Sequence, residues 1–176
     1  MTEPEEPDLD RVRHLVRDVP DFPSTGVLFR DITPVLADPE AFTTVATELA
    51  TSVGAAEVVV GIEARGFLLA AAAALVAGTG VVPVRKAGKL PRVAASRTYE
   101  LEYGTATLEL PADTVTAGAR VFIVDDVLAT GGTAAATCAL LEDVGAEVVG
   151  IGVLLELEAL GGRDRTSVPV HSVLVV

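Results

Sequence analysis

The stretch Val121–Thr133, VFIVDDVLATGGT, decides the fold. Its first four residues are apolar and mostly β-branched or aromatic, which favours a buried strand. Two carboxylates, Asp125 and Asp126, follow at the expected end of that strand, and a turn with two glycines leads into a helical pattern over Gly132–Val144. The stretch therefore predicts a strand, a glycine-rich turn and a helix in immediate succession.

Strand and helix patterns alternate on both sides of this stretch. The predicted strands are Glu57–Ile62, Val81–Val84, Arg120–Val124, Glu147–Leu155 and Val170–Val176. The predicted helices are Glu5–Val19, Pro39–Val53, Arg65–Ala77 and Gly132–Val144. A polar loop is predicted over residues 85–98, followed by a hairpin of Tyr99–Glu102 and Thr105–Leu110. Because buried strands separated by helices form parallel sheets, we expect an α/β fold with a central, mostly parallel sheet flanked by helices.

The composition indicates one globular domain over the 176 residues. The acidic, polar start is typical of neither a secretory signal nor an organelle presequence. The longest apolar stretch, Gly66–Gly80, is too short to cross a bilayer well, so we expect no membrane partner. A single cysteine can form no internal disulfide, which favours a reducing, cytoplasmic location.

The charge of the chain is unevenly distributed. A formal net charge of −12 argues against nucleic acid as a partner, because a negative surface repels phosphate backbones. Residues 85–97 nevertheless contain five basic residues and no acidic one. A positive segment in a negative protein indicates a small, multiply charged anion as ligand.

The turn after the strand has the chemistry of a phosphate site. Glycines let backbone amides approach an anion, and the first turn of a helix offers unpaired N–H donors. Carboxylates at Asp125 and Asp126 suit the vicinal hydroxyls of a sugar or a Mg²⁺ ion held through water. The stretch contains neither a Walker nor a dinucleotide-binding pattern. A plain strand–turn–helix connection remains the structural alternative.

The motif Asp125–Thr133, DDVLATGGT, resembles the phosphoribosyl-diphosphate-binding motif of type I phosphoribosyltransferases. Further segments resemble the adenine-specific members of that family: Phe22–Pro34, Gly61–Leu68, Val82–Pro91, Tyr99–Gly104 and Leu160–Arg163. The resemblance implies one domain over residues 1–176, with an N-terminal helix in 1–20, a small base-recognition hood from 21–35 and a flexible catalytic flap over 85–105.

The resemblance also implies a role for each matched residue. The 5-phosphate would be bound by Ala129, Thr130, Gly131, Gly132 and Thr133, and the ribose hydroxyls by Asp125 and Asp126. The diphosphate would be bound by Arg65, Arg85, Lys86 and Lys89. Adenine would contact Leu28, Phe29 and Arg30, and Glu102 would be the catalytic carboxylate. No resident metal site is expected, because Mg²⁺ would arrive mainly with phosphoribosyl diphosphate.

The activity implied by the resemblance is purine salvage. Adenine and phosphoribosyl diphosphate would give AMP and diphosphate through an oxocarbenium-like transition state, in a homodimer. One alternative is a transferase of the same fold that acts on a 6-oxopurine or orotate, which assays with separate nucleobases would reveal. Another is a non-catalytic regulator that binds DNA, which DNA binding without transferase activity would reveal.

Overall fold

The computed structural model describes residues 8–100 and 104–176. Within these ranges the helices are α1 Leu9–Leu15, α2 Thr33–Ala37, α3 Pro39–Val53, α4 Gly66–Ala77 and α5 Gly132–Glu142. The strands are β1 Arg17–Pro20, β2 Leu28–Asp31, β3 Val58–Ile62, β4 Gly80–Lys86, β5 Val93–Glu100, β6 Thr105–Pro111, β7 Arg120–Leu128, β8 Glu147–Glu156 and β9 Val170–Val175. Short 3₁₀ turns cover Glu158–Leu160 and Gly162–Arg165. No helix in the described ranges is long and apolar enough to cross a membrane.

A seven-stranded sheet in the order β5-β6-β4-β3-β7-β8-β9 forms the centre of the molecule. The five strands from β4 to β9 in this order run parallel, and the β5–β6 hairpin joins the β4 edge in antiparallel orientation. The mostly parallel sheet predicted from the sequence is therefore confirmed. The carboxyl ends of β3, β4 and β7 lie side by side, which is where such sheets bind ligands.

Both faces of the sheet are covered because successive apolar residues of β7 point to opposite sides. Phe122 and Val124 pack in the core formed with α3 and α4, whereas Val121 and Ile123 pack in the core formed with α5. These alternating contacts fix β7 between two apolar layers. The strand thereby delivers its C-terminal residues to a defined position.

The long helix α3 begins as the sequence predicts. Asp38 caps it by accepting a bond of 2.9 Å from the amide of Ala41, and Pro39 occupies its first position. The same carboxylate accepts two bonds from the guanidinium of Arg11, at 2.9 and 2.6 Å, and these hold the pKa of Asp38 down to about 2. The ion pair fixes α1 against the start of α3.

The predicted helix Glu5–Val19 is wrong beyond Leu15. Val16 is extended, and residues Arg17–Pro20 form β1, which pairs antiparallel with β2 and sets Val19 opposite Phe29. Apolar spacing compatible with a helix is overridden here by backbone pairing with a distant segment. Strand β2 of the resulting two-stranded sheet lies within residues 21–35, for which the resemblance implied a base-recognition hood, whereas β1 lies before them.

The predicted polar loop 85–98 is wrong at both ends. Strand β4 continues through Lys86, and β5 already begins at Val93. Ala95, Arg97 and Tyr99 are half-buried between exposed neighbours, so the strand has a period of two that its polar composition concealed. Strand β7 likewise continues to Leu128, so the acidic pair lies within the strand rather than after it.

Candidate active site

The Ala129–Thr133 turn lies between the end of β7 and the start of α5. Gly131 has a φ of +78°, and a Cβ atom there would lie 2.3 Å from the carbonyl oxygen of Gly162. No side chain among the described residues caps α5 by a hydrogen bond, so its first amides remain available to a ligand. The turn, with Ile151 and Val153 of β8, lines a small pocket of about 70 Å³. This geometry fits an anion.

The two acids beside the turn have different surroundings. The Asp126 amide donates a bond of 2.8 Å to Oδ1 of Asp125. Burial, followed by the neighbouring charge of Asp126, raises the pKa of Asp125 well above its ordinary value. Oδ1 of Asp125 also lies against Gly66, where a Cβ atom would approach it to 2.8 Å. Because the same Cβ atom would also lie 3.0 Å from the backbone carbonyl oxygen of Val124, the start of α4 packs against β7 where α4 has a glycine.

Arg65 connects three parts of the predicted site. It lies directly before α4 and follows the cis peptide bond between Glu63 and Ala64. Its guanidinium lies 2.5 Å from Oδ2 of Asp126 and 4.8 Å from the centre of the Phe29 ring. It also donates a bond of 3.3 Å to the carbonyl oxygen of Arg30. The residue predicted to bind diphosphate is thus in contact with the predicted ribose and base sites.

The predicted base-recognition residues lie on β2. Leu28 is exposed, whereas Phe29 and Arg30 are half-buried. The Phe29 ring packs edge-on against Phe22, with centroids 5.1 Å apart, and Arg30 pairs with Asp18 of β1. Phe29 therefore has one neighbour at its edge and a cation on its face, an arrangement that leaves it partly accessible for stacking.

The predicted diphosphate cations of β4 depend on Glu63, which sequence reasoning missed. Oε2 of Glu63 accepts bonds from the Lys86 amide at 2.9 Å and from Nε of Arg85 at 3.3 Å. Burial alone would raise the pKa of Glu63, but these two bonds outweigh it and hold the pKa below its ordinary value. Lys89 is exposed in the turn that follows, and its carbonyl oxygen lies 3.5 Å from Nη1 of Arg85.

The β5–β6 hairpin packs along α5, from Thr133 near its start to Asp143 at its end. The hydroxyl of Tyr99 is 3.1 Å from Oγ1 of Thr133, and the guanidinium of Arg97 makes bonds of 2.9 and 3.1 Å to the carboxylate of Asp143. Sequence reasoning assigned no role to Tyr99 or Arg97. Glu102, the predicted catalytic carboxylate, lies outside the described residues.

The predicted phosphate, ribose, base and diphosphate residues therefore meet along one edge of the sheet, at the ends of β3, β4 and β7. Within the described ranges, no three His, Cys, Asp or Glu side chains converge as a metal-binding group. An anion-binding turn beside paired acids, next to the basic end of β4, is the arrangement of a phosphoribosyltransferase. The family model described as a phosphoribosyl transferase domain matches residues 37–174. The chain belongs to the phosphoribosyltransferase family.

The relatives and solved structures identify the adenine-specific branch of this family. The chain is 60% identical to the adenine phosphoribosyltransferase of Kineococcus radiotolerans, with 94% of this chain and 95% of that protein covered. It is 48% identical to the adenine phosphoribosyltransferase of Rhodothermus marinus, with a TM-score of 0.89 and coverages of 96% and 98%. The Saccharomyces cerevisiae enzyme, crystallised with adenine and an iminoaltritol bisphosphate, is 37% identical, with a TM-score of 0.90 and coverages of 94% and 98%.

Proposed function

We propose that the protein converts adenine and phosphoribosyl diphosphate into AMP and diphosphate, a purine salvage reaction. The observation that carries the proposal is the glycine turn Ala129–Thr133, which offers free helix amides directly after the paired acids of β7. Phosphate donors beside hydroxyl acceptors fit a ribose 5-phosphate. The adenine specificity is supported by the identity of the relatives.

The proposed chemistry requires the chain to position two ligands and to stabilise a leaving group. Diphosphate departs from the ribose carbon through an oxocarbenium-like state, and a ring nitrogen of adenine then bonds to that carbon. Arg65, Arg85, Lys86 and Lys89 would stabilise the negative charge that develops on the diphosphate. Phe29 would stack on the purine while the backbone of Leu28 and Arg30 contacts its edge.

Glu102 is proposed as the catalytic carboxylate on the basis of the sequence resemblance. A carboxylate near the imidazole edge of adenine would accept the proton released as that nitrogen forms its new bond. It would also favour the positive charge that develops on the ribose.

Mg²⁺ is proposed to enter as part of the phosphoribosyl-diphosphate substrate. The oxygen donors at the site, Asp125 and Asp126, are chemically suited to Mg²⁺, but Oδ2 of Asp126 pairs with Arg65. Mg²⁺ is usually held through one or two carboxylates together with substrate phosphates, which fits an ion that arrives with the substrate. The ion supplies positive charge to the departing diphosphate, and the chain itself supplies Arg65 and the cations of the β4 end.

The proposal is tested by incubating the protein with phosphoribosyl diphosphate, Mg²⁺ and each nucleobase separately, and identifying the nucleotide formed. We expect AMP from adenine, with no comparable product from hypoxanthine, guanine or orotate. Product from a 6-oxopurine or orotate but not from adenine would assign the chain to another specificity. DNA binding without any nucleotide product would identify a regulator instead.

The role of the basic turn is tested by Lys89→Ala. Lys89 is exposed, so we expect the melting temperature to change little, whereas the affinity for diphosphate should fall about tenfold through the loss of one charged contact. Isothermal calorimetry with Mg-diphosphate measures the effect. Arg92→Ala is the matched control, because it removes one charge from the same segment at a side chain paired with Asp113. Equal affinities in all three proteins would contradict the role of Lys89.

We also propose that the protein is a homodimer. The outer side of α4 exposes Leu68, Leu75 and Val76, of which Leu75 is 82% exposed, and Val81 of β4 is exposed as well. Exposed large apolar side chains on one helix are typical of protein–protein contacts, and a second copy would cover them. Light scattering should give the mass of a dimer for the parent protein and of a monomer for Leu75→Glu. A monomeric parent would contradict the proposal.

A cytoplasmic location is proposed from the cysteine content. Cys138 is the one cysteine of the chain and is buried in α5. Burial raises the pKa of its thiol to about 11, so the thiol stays neutral and unreactive. An unpaired thiol is typical of reducing compartments. Cell fractionation with immunodetection should find the protein in the cytoplasmic fraction, and recovery outside the cytoplasm would contradict this.

A further inference from the structure

The segment Leu160–Arg163, LGGR, packs directly against the phosphate turn. A Cβ atom at Gly162 would lie 2.2 Å from the carbonyl oxygen of Ala129, and one at Gly131 would lie 2.3 Å from the carbonyl oxygen of Gly162. The two backbones therefore touch where neither has a side chain. Movement of Gly162 toward the turn would therefore push on Ala129 and Gly131.

Arg163 holds this segment to the sheet. Its guanidinium donates from Nε to Oε1 of Glu156 at 2.9 Å and from Nη2 to Oε2 at 2.5 Å. Nη1 donates a bond of 2.6 Å to the carbonyl oxygen of Val170, so the side chain bridges the end of β8 and the start of β9. Two parallel N–H donors that match the two oxygens of a carboxylate fix the orientation of the arginine side chain as well as its distance from the carboxylate.

The surroundings of Glu156 favour its pairing with the Arg163 guanidinium. Its side chain is only 7% exposed and also accepts a bond of 2.5 Å from the hydroxyl of Ser172. The hydrogen bond from Arg163 is the largest cause that holds the pKa of Glu156 below its ordinary value, so the carboxylate stays ionised. A buried carboxylate with its charge satisfied is a rigid anchor.

The near end of the same segment is tied to β7. The amide of Leu157 donates a bond of 2.9 Å to the carbonyl oxygen of Leu128, the last residue of β7 before the phosphate turn. The chain from Leu157 to Arg163 is thus fixed at both ends, with Gly162 pressed against the turn between them.

We propose that Arg163 is a positioning residue for the 5-phosphate site. By fixing Gly162, it sets the path of Ala129–Gly131 and hence the direction of the amides that receive the phosphate. The inference rests on the proposed phosphate-binding role of that turn. Arg163 itself does not touch the ligand.

The positioning role of Arg163 predicts a loss of affinity for the 5-phosphate and not for diphosphate. Of the diphosphate cations, Arg85 and Lys86 belong to the end of β4, Lys89 to the turn after it and Arg65 to the start of α4, whereas Arg163 acts on the turn after β7. Loosening the Leu160–Arg163 segment should therefore weaken binding of the 5-phosphate and leave binding of diphosphate unchanged. A general loss of stability would weaken both.

The experiment measures the affinities of ribose 5-phosphate and Mg-diphosphate by calorimetry for the parent, Arg163→Gln and Arg163→Lys. We expect Arg163→Gln to weaken ribose 5-phosphate about tenfold and diphosphate less than twofold, because misplaced amides lose directed bonds. Arg163→Lys keeps the charge but not the two parallel donors, and its loss should lie between parent and Arg163→Gln. Arg165→Gln removes a charge from the same turn and should match the parent.

The possible outcomes distinguish a failure of the positioning role of Arg163 from a failure of the proposed function. A parent protein that does not bind ribose 5-phosphate contradicts the proposed function. A parent that binds, with a folded Arg163→Gln that retains its ribose 5-phosphate affinity or loses both ligands equally, overturns the positioning role. Should Arg163→Gln lack a thermal transition, the same criteria apply to Arg163→Lys.

Discussion

Gly131→Ala is expected to lower kcat/KM for phosphoribosyl diphosphate by about 100-fold or more, because the phosphate amides must move away from their ligand. The methyl group would lie 2.3 Å from the backbone carbonyl oxygen of Gly162, and a backbone atom cannot turn aside as a flexible side chain can. The φ of +78° adds a conformational cost of about 1–2 kcal/mol for any residue with a Cβ. Steady-state kinetics and a thermal melt measure the two effects.

Gly78→Ala is the control that separates the two effects of Gly131→Ala, the steric clash and the conformational cost of a positive φ. Gly78 ends α4 with a φ of +73°, almost the same as Gly131, but a Cβ atom there meets nothing within 4 Å. We expect this variant to lose about 1 kcal/mol of stability while its kcat/KM stays that of the parent. If Gly131→Ala were as active as Gly78→Ala, the close packing of the two turns would not matter for phosphate binding.

The central sheet and the phosphate turn could be predicted because their signals are local. Strand β3 and the Val121–Val124 part of β7 are continuous apolar runs, as strands buried on both faces require. Gly131 stands directly before α5 and Gly132 is its first residue, so the anion-binding geometry follows from one short stretch. Asp38 and Pro39 likewise mark the start of α3 within two consecutive residues.

The remaining features depend on partners that are distant in the sequence. Strand β1 exists because Arg17–Pro20 pairs with Leu28–Asp31, and nothing in its own composition favours a strand. The bond from Arg85 to Glu63 and the contact of Gly162 with the phosphate turn are invisible until the chain is folded. A local pattern predicts the secondary structure that a segment favours. The contacts named above form only when folding of the sheet brings distant residues together.

Contacts between residues distant in the sequence also link the diphosphate, ribose and base subsites. Arg65 was predicted as a diphosphate ligand alone, yet its guanidinium also contacts Asp126, the ring of Phe29 and the carbonyl oxygen of Arg30. A single side chain therefore joins the residues proposed for diphosphate, ribose and base. Removing it should disturb the binding of both substrates.

Arg65→Ala is accordingly expected to raise KM for adenine as well as for phosphoribosyl diphosphate, and to lower kcat/KM by about 10²–10³-fold. The change leaves Asp126, whose side chain is 12% exposed, without its counter-ion and frees the face of Phe29. Stability should fall by about 1–3 kcal/mol, less than for a fully buried pair because 34% of the Arg65 side chain reaches solvent. Kinetics at varied concentrations of each substrate measure the effect.

Arg65→Lys distinguishes the charge of this residue from its geometry. Lysine keeps a cation near Asp126, so most of the lost stability should return. A point charge cannot at once pair with Asp126, lie flat on Phe29 and reach the Arg30 carbonyl, so the elevated KM for adenine should persist. Should Arg65→Ala raise KM for phosphoribosyl diphosphate alone, Arg65 would serve the diphosphate only, and the base site would have to be held by β1 and the Phe22–Phe29 contact instead.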